Sequence, residues 1–196
     1  MTQDYQGRTP LHLACAMSRG STDPVNAILN YVPQEVRFQL IMMQDNEGST
    51  SLHCASWSAL KDTIKCILDF LPSAKRCEAI FLCNKDAKTS LHCASETCSK
   101  DAINCILDSI PLEEKCKLLL AQDGCKMTPL RRAVLINYTD ALKCIFDCVP
   151  CGKRHELFAL QHLEGKTILH YCSYICNSSD DTLKFLMEHI LDISCL

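Results

Sequence analysis

Four residues in the second half of the chain have types and spacing that could bind a metal ion. Thiolates and imidazole are common zinc ligands, and the chain carries a Cys-x3-Cys-x2-Cys-x3-His run: Cys144, Cys148, Cys151 and His155. A structural zinc site needs four ligands that converge as a tetrahedron. Pro150 ends one predicted helix and begins the next between the central cysteines, which does not favour convergence. A metal-responsive site is therefore an alternative, and we expect no bound metal.

Redox and nucleophilic chemistry are also poorly supported by the cysteine and histidine pattern. Cys148 and Cys151 have the spacing of a redox dithiol, but no strand–helix–strand pattern surrounds them. His-Cys neighbours occur at 53–54 and 92–93, and adjacent side chains on a helix point about 100° apart. No glycine-rich phosphate loop, nucleophile elbow or zincin motif is found. We expect the chain not to be an enzyme and to need no cofactor.

Composition sets the remaining limits on class. The chain has 196 residues, 47% of them hydrophobic and 22% charged, with a net charge of −3. Such a balance is globular and lacks the basic surplus of a nucleic-acid binder. There is no apolar run of transmembrane length and no apolar signal core. The 16 cysteines then indicate reduced thiols used mainly for packing. We expect a cytoplasmic chain that inserts into no membrane.

Self-similarity organises the whole sequence. Three columns recur at a spacing of 39 to 41 residues, which is the mark of a repeat protein. The first column is Thr9, Thr50, Thr89, Thr128 and Thr167. The second is Asp23, Asp62, Asp101, Asp140 and Asp181. The third is Pro33, Pro72, Pro111 and Pro150. The columns predict a single domain of five repeats with approximate bounds 4–43, 44–83, 84–121, 122–160 and 161–196.

Each column predicts the start of a helix. Threonine before proline or serine is an N-cap signal, and proline suits the first helical turn. The aspartate column is predicted to cap a second helix, whose apolar residues recur at helical spacing, as in Ile64, Ile67 and Leu68. The proline column is predicted to open a third, shorter helix with basic residues on a solvated face. Turn residues such as Asp45-Asn46-Glu47-Gly48 join one unit to the next.

The segments Gly7–Ala14, Gly48–Ala55 and Thr89–Ala94, with their Thr-x-Leu-His core, resemble the ankyrin-repeat family. The resemblance implies an all-α solenoid of five stacked helix-turn-helix units, each with an extra short helix in the connecting finger. The units exceed the family length of about 33 residues, and Arg131 replaces the motif histidine of the fourth repeat. A three-helix armadillo array has a similar period, but the Thr-x-Leu-His core argues against it.

The resemblance also assigns structural roles. In such repeats the motif histidine bonds to backbone and to the threonine hydroxyl, which ties neighbouring turns together. The residues expected in these roles are Thr9, His12, Thr50, His53, Thr89, His92, Thr128, Thr167 and His170.

Finally, the resemblance implies a partner protein bound on the concave face, at the turns and the ends of the first helices. The residues expected to contact that partner are Tyr5, Met17, Asn46, Glu47, Trp57, Lys85, Glu96, Arg131, Leu135, Ile136, Tyr174 and Ile175. Arg131 and Arg132 would add a charge preference. The third helices could instead fold over this row. We expect an interaction module or scaffold, monomeric or part of a longer chain. The alternatives are a metal- or redox-responsive regulator and the sensor part of a larger protein.

Overall fold

The computed structural model describes residues 2–18, 20–97, 99–136, 139–162, 164–175 and 180–193. Every regular element in these ranges is helical, and they contain no strand. The helices follow a three-part order in each of the first four repeats, and the fifth repeat has two. The fold is an all-α repeat solenoid, as the columns predict.

The first helix of each repeat starts directly after the column threonine. Thr9, Thr50 and Thr89 adopt extended backbone, and each forms a capping box with the histidine three residues later. The side chain of Thr128 caps the corresponding helix of the fourth repeat by accepting the backbone N–H of Arg131. The five first helices are α1 (Pro10–Met17), α4 (Ser51–Trp57), α7 (Ser90–Ser95), α10 (Pro129–Leu135) and α13 (Ile168–Ile175).

The second helices are α2 (Asp23–Tyr31), α5 (Lys61–Asp69), α8 (Lys100–Asp108), α11 (Thr139–Asp147) and α14 (Asp180–Ile193). The prediction that the aspartate column caps them is wrong by one or two positions. Asp62 and Asp101 lie inside the first turn, and Ser99 is the residue whose side chain accepts a backbone N–H, that of Ala102. Aspartate in the first turn still stabilises the helix through its dipole.

The proline column opens the third helices, as predicted. Pro33, Pro72 and Pro111 are N-caps of α3 (Gln34–Met42), α6 (Ser73–Phe81) and α9 (Leu112–Leu120). In the fourth repeat a 3₁₀ turn (Cys151–Lys153) leads into α12 (Arg154–Ala159). The third segment of each of the first four units is therefore ordered helix.

Third-helix arginines bond to the backbone rather than forming only a solvated face. Nε of Arg37 donates to the carbonyl of Val32 at 2.9 Å, and Nε of Arg154 donates to that of Val149 at 3.1 Å. Both carbonyls directly precede the column proline, where an intrahelical partner is missing. The arginines thus fix the third helix against the end of the second.

Stacked helices enclose one continuous core. First helices contact first helices, and second helices contact second helices, from α1 and α2 through α13 and α14. Equivalent positions of successive repeats are fully buried: Leu11, Leu52, Leu91 and Leu130 in the first helices, and Val25, Ile64, Ile103 and Leu142 in the second. A single unit could not bury these faces alone, so stability depends on neighbours.

Most of the described cysteines belong to this core, which confirms the packing prediction. Cys15, Cys93, Cys116 and Cys144 are buried, and the described cysteines are free thiols. Cys83 and Cys125 are exceptions because both are exposed. Among the helices of the described residues, none combines the length and apolar character needed to cross a bilayer.

The turns between repeats share one local design. The side-chain oxygen of the first turn residue accepts two N–H groups, as Asp45 does from Glu47 and Ser49 at 2.9 and 2.8 Å. Asp4, Asn84 and Asp123 do the same in their turns. Three residues later the backbone is left-handed: Gly7, Gly48, Ala87, Lys126 and Gly165 have φ of 74°, 75°, 55°, 57° and 70°.

Glutamine side chains bind successive turns together, a feature that our sequence analysis missed. Nε2 of Gln44 donates to the carbonyls of Gly48 in its own turn and Cys83 in the next repeat, at 2.6 and 2.9 Å. Gln3 and Gln122 make the equivalent pairs of bonds. We call this series the glutamine ladder; it is interrupted where Cys83 occupies the column.

Candidate functional site

The motif histidines bridge consecutive repeats. In the second repeat Nδ1 of His53 accepts from the Thr50 N–H at 3.2 Å and lies 2.8 Å from the Thr50 hydroxyl. Its Nε2 is 3.0 Å from the carbonyl oxygen of Lys88 in the following turn. His12 and His92 repeat this geometry towards the carbonyls of Ser49 and Met127. These three histidines therefore bond to the turn of the following repeat. Among the described residues, the His170 ring bonds only to Thr167, and it is exposed.

This geometry requires neutral histidine. Because Nδ1 accepts a backbone N–H, the ring proton belongs on Nε2, which donates to the next carbonyl. Burial lowers the pKa of His53, and it lowers the pKa of His92 to about 4. The rings are therefore uncharged near neutrality, and their role is structural.

Arg131 departs from this pattern and is not a surface residue. Its side chain is fully buried, and its three guanidinium nitrogens have no hydrogen-bond partner among the described residues. Burial also lowers the pKa of this group. The expectation that Arg131 contacts a partner is therefore wrong: α10 directs the position inward, where histidine stands in the first three repeats.

Arg132 and Glu96 are held in an ion-pair network. Nε of Arg132 donates to Asp123 at 2.7 Å, and its Nη1 lies 3.0 Å from Glu96. Glu96 also pairs with Nζ of Lys88 at 3.1 Å. Two carboxylates thus balance two cations within the array. Glu96 is mostly covered, unlike the exposed contact residue that we expected, and Arg132 lends the surface no free positive charge.

Large apolar side chains stay exposed at the ends of the first helices. Met17 is 72% exposed, Trp57 56% and Leu135 41%. We call these three residues the exposed row. The third helices do not cover them, so the alternative of a buried row is wrong for these positions.

The other expected contact residues divide into three groups. Tyr5, Asn46, Glu47 and Lys85 are exposed on the turns, and Ile136 is half-buried beside Leu135. The side chains of Tyr174 and Ile175 lie outside the described residues. The structure therefore brings together the turns and first-helix ends of the first four repeats.

A groove of about 330 Å³ lies beside Trp57, between the second and third repeats. Its walls include three carboxylates from the two turns: Asp45, Glu47 and Asp86. Nζ of Lys88 sits 5.5 Å from the centre of the Trp57 ring, within the range of a cation–π contact. The groove combines an aromatic wall with acidic rims, a combination our sequence analysis did not foresee.

The candidate metal residues do not converge in the part of the chain that the structure describes. No group of three His, Cys, Asp or Glu side chains there is placed to hold an ion. The Cys144 thiol donates to Oδ1 of Asn104 at 2.7 Å, and His155 is exposed on α12. The Cys151 side chain is outside the described residues. Cys144 is thus used in packing between repeats.

The fold defines a class: a helical repeat solenoid whose turns and first-helix ends form an exposed surface. The family model described as Ankyrin repeat matches residues 6–33. That segment is similar to an ankyrin repeat, and the helical units that follow it are consistent with the ankyrin-repeat family. A comparison with curated proteins found no significant match. Ankyrin repeats are generally protein–protein interaction modules.

Proposed function

We propose that this chain is a non-enzymatic interaction module that binds a partner protein through the exposed row and the adjoining turns. The observation that carries the proposal is the exposure of Met17, Trp57 and Leu135. Single exposed apolar residues are ordinary, but several along one surface of a repeat array are typical of a binding site.

The frame beneath these residues is suited to binding. Thr–His bridges hold the first helices of the first three repeats against the next turn, and the glutamine ladder and stacked turn backbones add further bonds between turns. A surface that is ordered before binding loses little conformational entropy on association. Tryptophan is also among the residues most often found to dominate interface energetics. Trp57 is therefore the proposed energetic centre.

The metal- or redox-responsive alternative receives less support. The interaction with Cys144 lowers the pKa of the Cys148 thiol below its usual range, which favours the reactive thiolate. Reactivity of one thiol requires neither a metal nor a regulatory role. The exposed row, in contrast, stays largely open to solvent even though Lys88 contacts Trp57, so partner binding is the preferred function.

An affinity capture from source-cell lysate under reducing conditions tests the proposal. Immobilised wild type is compared with a Trp57→Ala/Leu135→Ala variant, after circular dichroism shows that both fold alike. The matched control is Tyr31→Ala/Leu112→Ala, which removes exposed apolar residues from α2 and α9. We expect specific proteins to be retained by wild type and the control but lost from the first variant. Equal capture by all three would place the binding surface elsewhere.

A further inference from the structure

The groove beside Trp57 carries an excess of negative charge. Asp45, Glu47 and Asp86 line it, and none of the three forms an ion pair with a described residue. The lysine that lines the groove, Lys88, has its charge balanced by Glu96 at 3.1 Å. Lys85 is exposed on the same turn as Asp86 but does not line the groove. The surface next to the indole therefore favours a cation.

The Trp57 ring already shows how a cation fits. The ammonium group of Lys88 stands 5.5 Å from its centre while remaining bound to Glu96. This contact shows that the ring accepts an ammonium group in the presence of the neighbouring carboxylates. With Trp57 still 56% exposed, part of the indole remains accessible to a second side chain.

A second hollow continues from the groove along the exposed row. It has a volume of about 380 Å³ and is lined by Ala16, Met17, Ser58 and Leu60. Ala16 and Ser58 also line the acidic groove, so the two hollows adjoin. An extended chain lying along them would place one side chain among the carboxylates and a neighbouring one on mostly apolar surface.

We propose that this composite groove binds an extended segment of a partner protein that carries a lysine or arginine next to an apolar residue. The inference rests on the proposed function and adds the chemistry of the partner. The basic head lies among Asp45, Glu47 and Asp86, and its aliphatic stem lies against Trp57. The neighbouring apolar side chain packs on Met17 and Leu60. Complementary charge selects the partner, and an acidic segment is repelled.

The chain contains a single tryptophan, so indole emission reports on the groove directly. The probes are mixtures of short synthetic peptides with lysine or arginine at the centre and leucine beside it. Matched mixtures carry glutamine or glutamate at the centre. Emission of Trp57 is recorded during titration, and anisotropy of dye-labelled copies measures binding independently of the indole. We expect only the basic mixtures to bind and to change the emission. Binding of the glutamine mixture with equal affinity, or no binding of either basic mixture, overturns the inference.

Charge neutralisation gives the decisive comparison. Glu47→Gln/Asp86→Asn keeps the backbone carbonyls that bond to Lys85 and Gly124 and removes two charges from the groove. We expect affinity for the basic mixtures to fall about tenfold. The control Glu35→Gln/Glu113→Gln removes two exposed charges from third helices and is expected to leave affinity unchanged. Equal affinity of the groove variant and wild type also overturns the inference.

The two proposals fail in distinguishable ways. A lysate partner that needs Trp57 and Leu135 but is indifferent to Glu47→Gln/Asp86→Asn retains the proposed function and overturns the basic-segment inference. A partner indifferent to Trp57 and Leu135 overturns both.

Discussion

Nε2 of His92 lies 3.0 Å from the carbonyl oxygen of Met127, across the boundary between the third and fourth repeats. The bond needs a proton on Nε2 and a lone pair on Nδ1, which accepts from the Thr89 N–H at 3.2 Å. One neutral imidazole therefore caps its own helix and holds the next turn. A protonated Nδ1 would place its own N–H against the N–H of Thr89, and the bond between them would be lost. The folded state therefore disfavours the charged ring.

The buried histidines make the fold sensitive to acid. The pKa of His92 is about 4 in the fold and about 6.5 in an unfolded chain. The stabilisation is complete above the unfolded value and is lost as the pH falls from about 6.5 towards 4, by up to about 3 kcal/mol for this residue. Urea unfolding at a series of pH values measures this loss.

The variant His92→Gln separates this effect from general acid denaturation. We expect it to be less stable at neutral pH and to lose less stability on acidification than wild type. His155→Gln, at an exposed position on α12, is the control for loss of a histidine as such. An unchanged acid dependence in His92→Gln would contradict the assignment.

Restoring histidine at the fourth repeat should stabilise the array. Arg131→His removes a buried guanidinium that has no hydrogen-bond partner among the described residues, and its imidazole can add a bond to the Lys166 carbonyl, the counterpart of the Met127 carbonyl. We expect the free energy of unfolding to rise by about 1–3 kcal/mol, measured by urea denaturation.

Arg154→His is the control for that substitution. It removes the bond from Arg154 to the Val149 carbonyl and should destabilise the fold, which shows that arginine-to-histidine changes are not favourable in general. A less stable Arg131→His protein would mean that the buried guanidinium is better accommodated than its bonding indicates.

The left-handed turn positions predict opposite effects of glycine and alanine. Ala87 has φ of 55°, a conformation that costs an L-residue about 1–2 kcal/mol, so Ala87→Gly should stabilise by about 0.5–1 kcal/mol after the entropy of glycine is subtracted. Gly48→Ala should destabilise by more, because an added Cβ would also lie 2.9 Å from the Lys85 nitrogen. Thermal unfolding followed by circular dichroism compares both with wild type, and the same sign for the two changes would refute the argument.

Cys148 should be the first of the packed thiols to react. Its interaction with Cys144 lowers its pKa below the usual range of a thiol, whereas burial raises the pKa of Cys54 to about 11 and that of Cys93 to about 12. Thiolate is the reactive form, so alkylation of Cys148 should begin at a lower pH than alkylation of Cys54 and Cys93.

Brief iodoacetamide treatment at several pH values, followed by peptide mass spectrometry, measures this order. Cys144→Ala should return the reactivity of Cys148 to higher pH. Equal labelling of Cys148 and Cys93 in native protein would contradict the prediction.

The sequence predicted where helices start better than it predicted where long side chains lie. Thr50, His53 and Pro72 have roles fixed by their own backbone and by local bonds, so their columns located helix starts correctly. The positions of Glu96 and Arg131 were predicted, but a column does not tell where a long side chain goes. The charge of Glu96 is neutralised by Lys88 and Arg132, which belong to two repeats, and Arg131 lies inside the core.

Other features were present in the sequence but carried no recognisable signal. Gln3, Gln44 and Gln122 recur with the repeat period, and only the structure shows that their amides join turns. Asp45, Glu47 and Asp86 look like ordinary turn residues. Their grouping around Trp57 depends on the stacking of two repeats, which local pattern does not encode.

The gap in the glutamine ladder has a mechanical consequence. Cys83 occupies the ladder position of the third repeat, so no glutamine amide joins the third turn to the fourth turn. The Glu96–Arg132 ion pair crosses the boundary between the third and fourth repeats instead. Neutral amide bonds are little affected by dissolved salt, whereas partly exposed ion pairs are screened by it. Of the first three boundaries, the third is therefore the one whose coupling includes an ion pair beside the histidine bridge of His92, and we expect salt to weaken that coupling more than it weakens the first two.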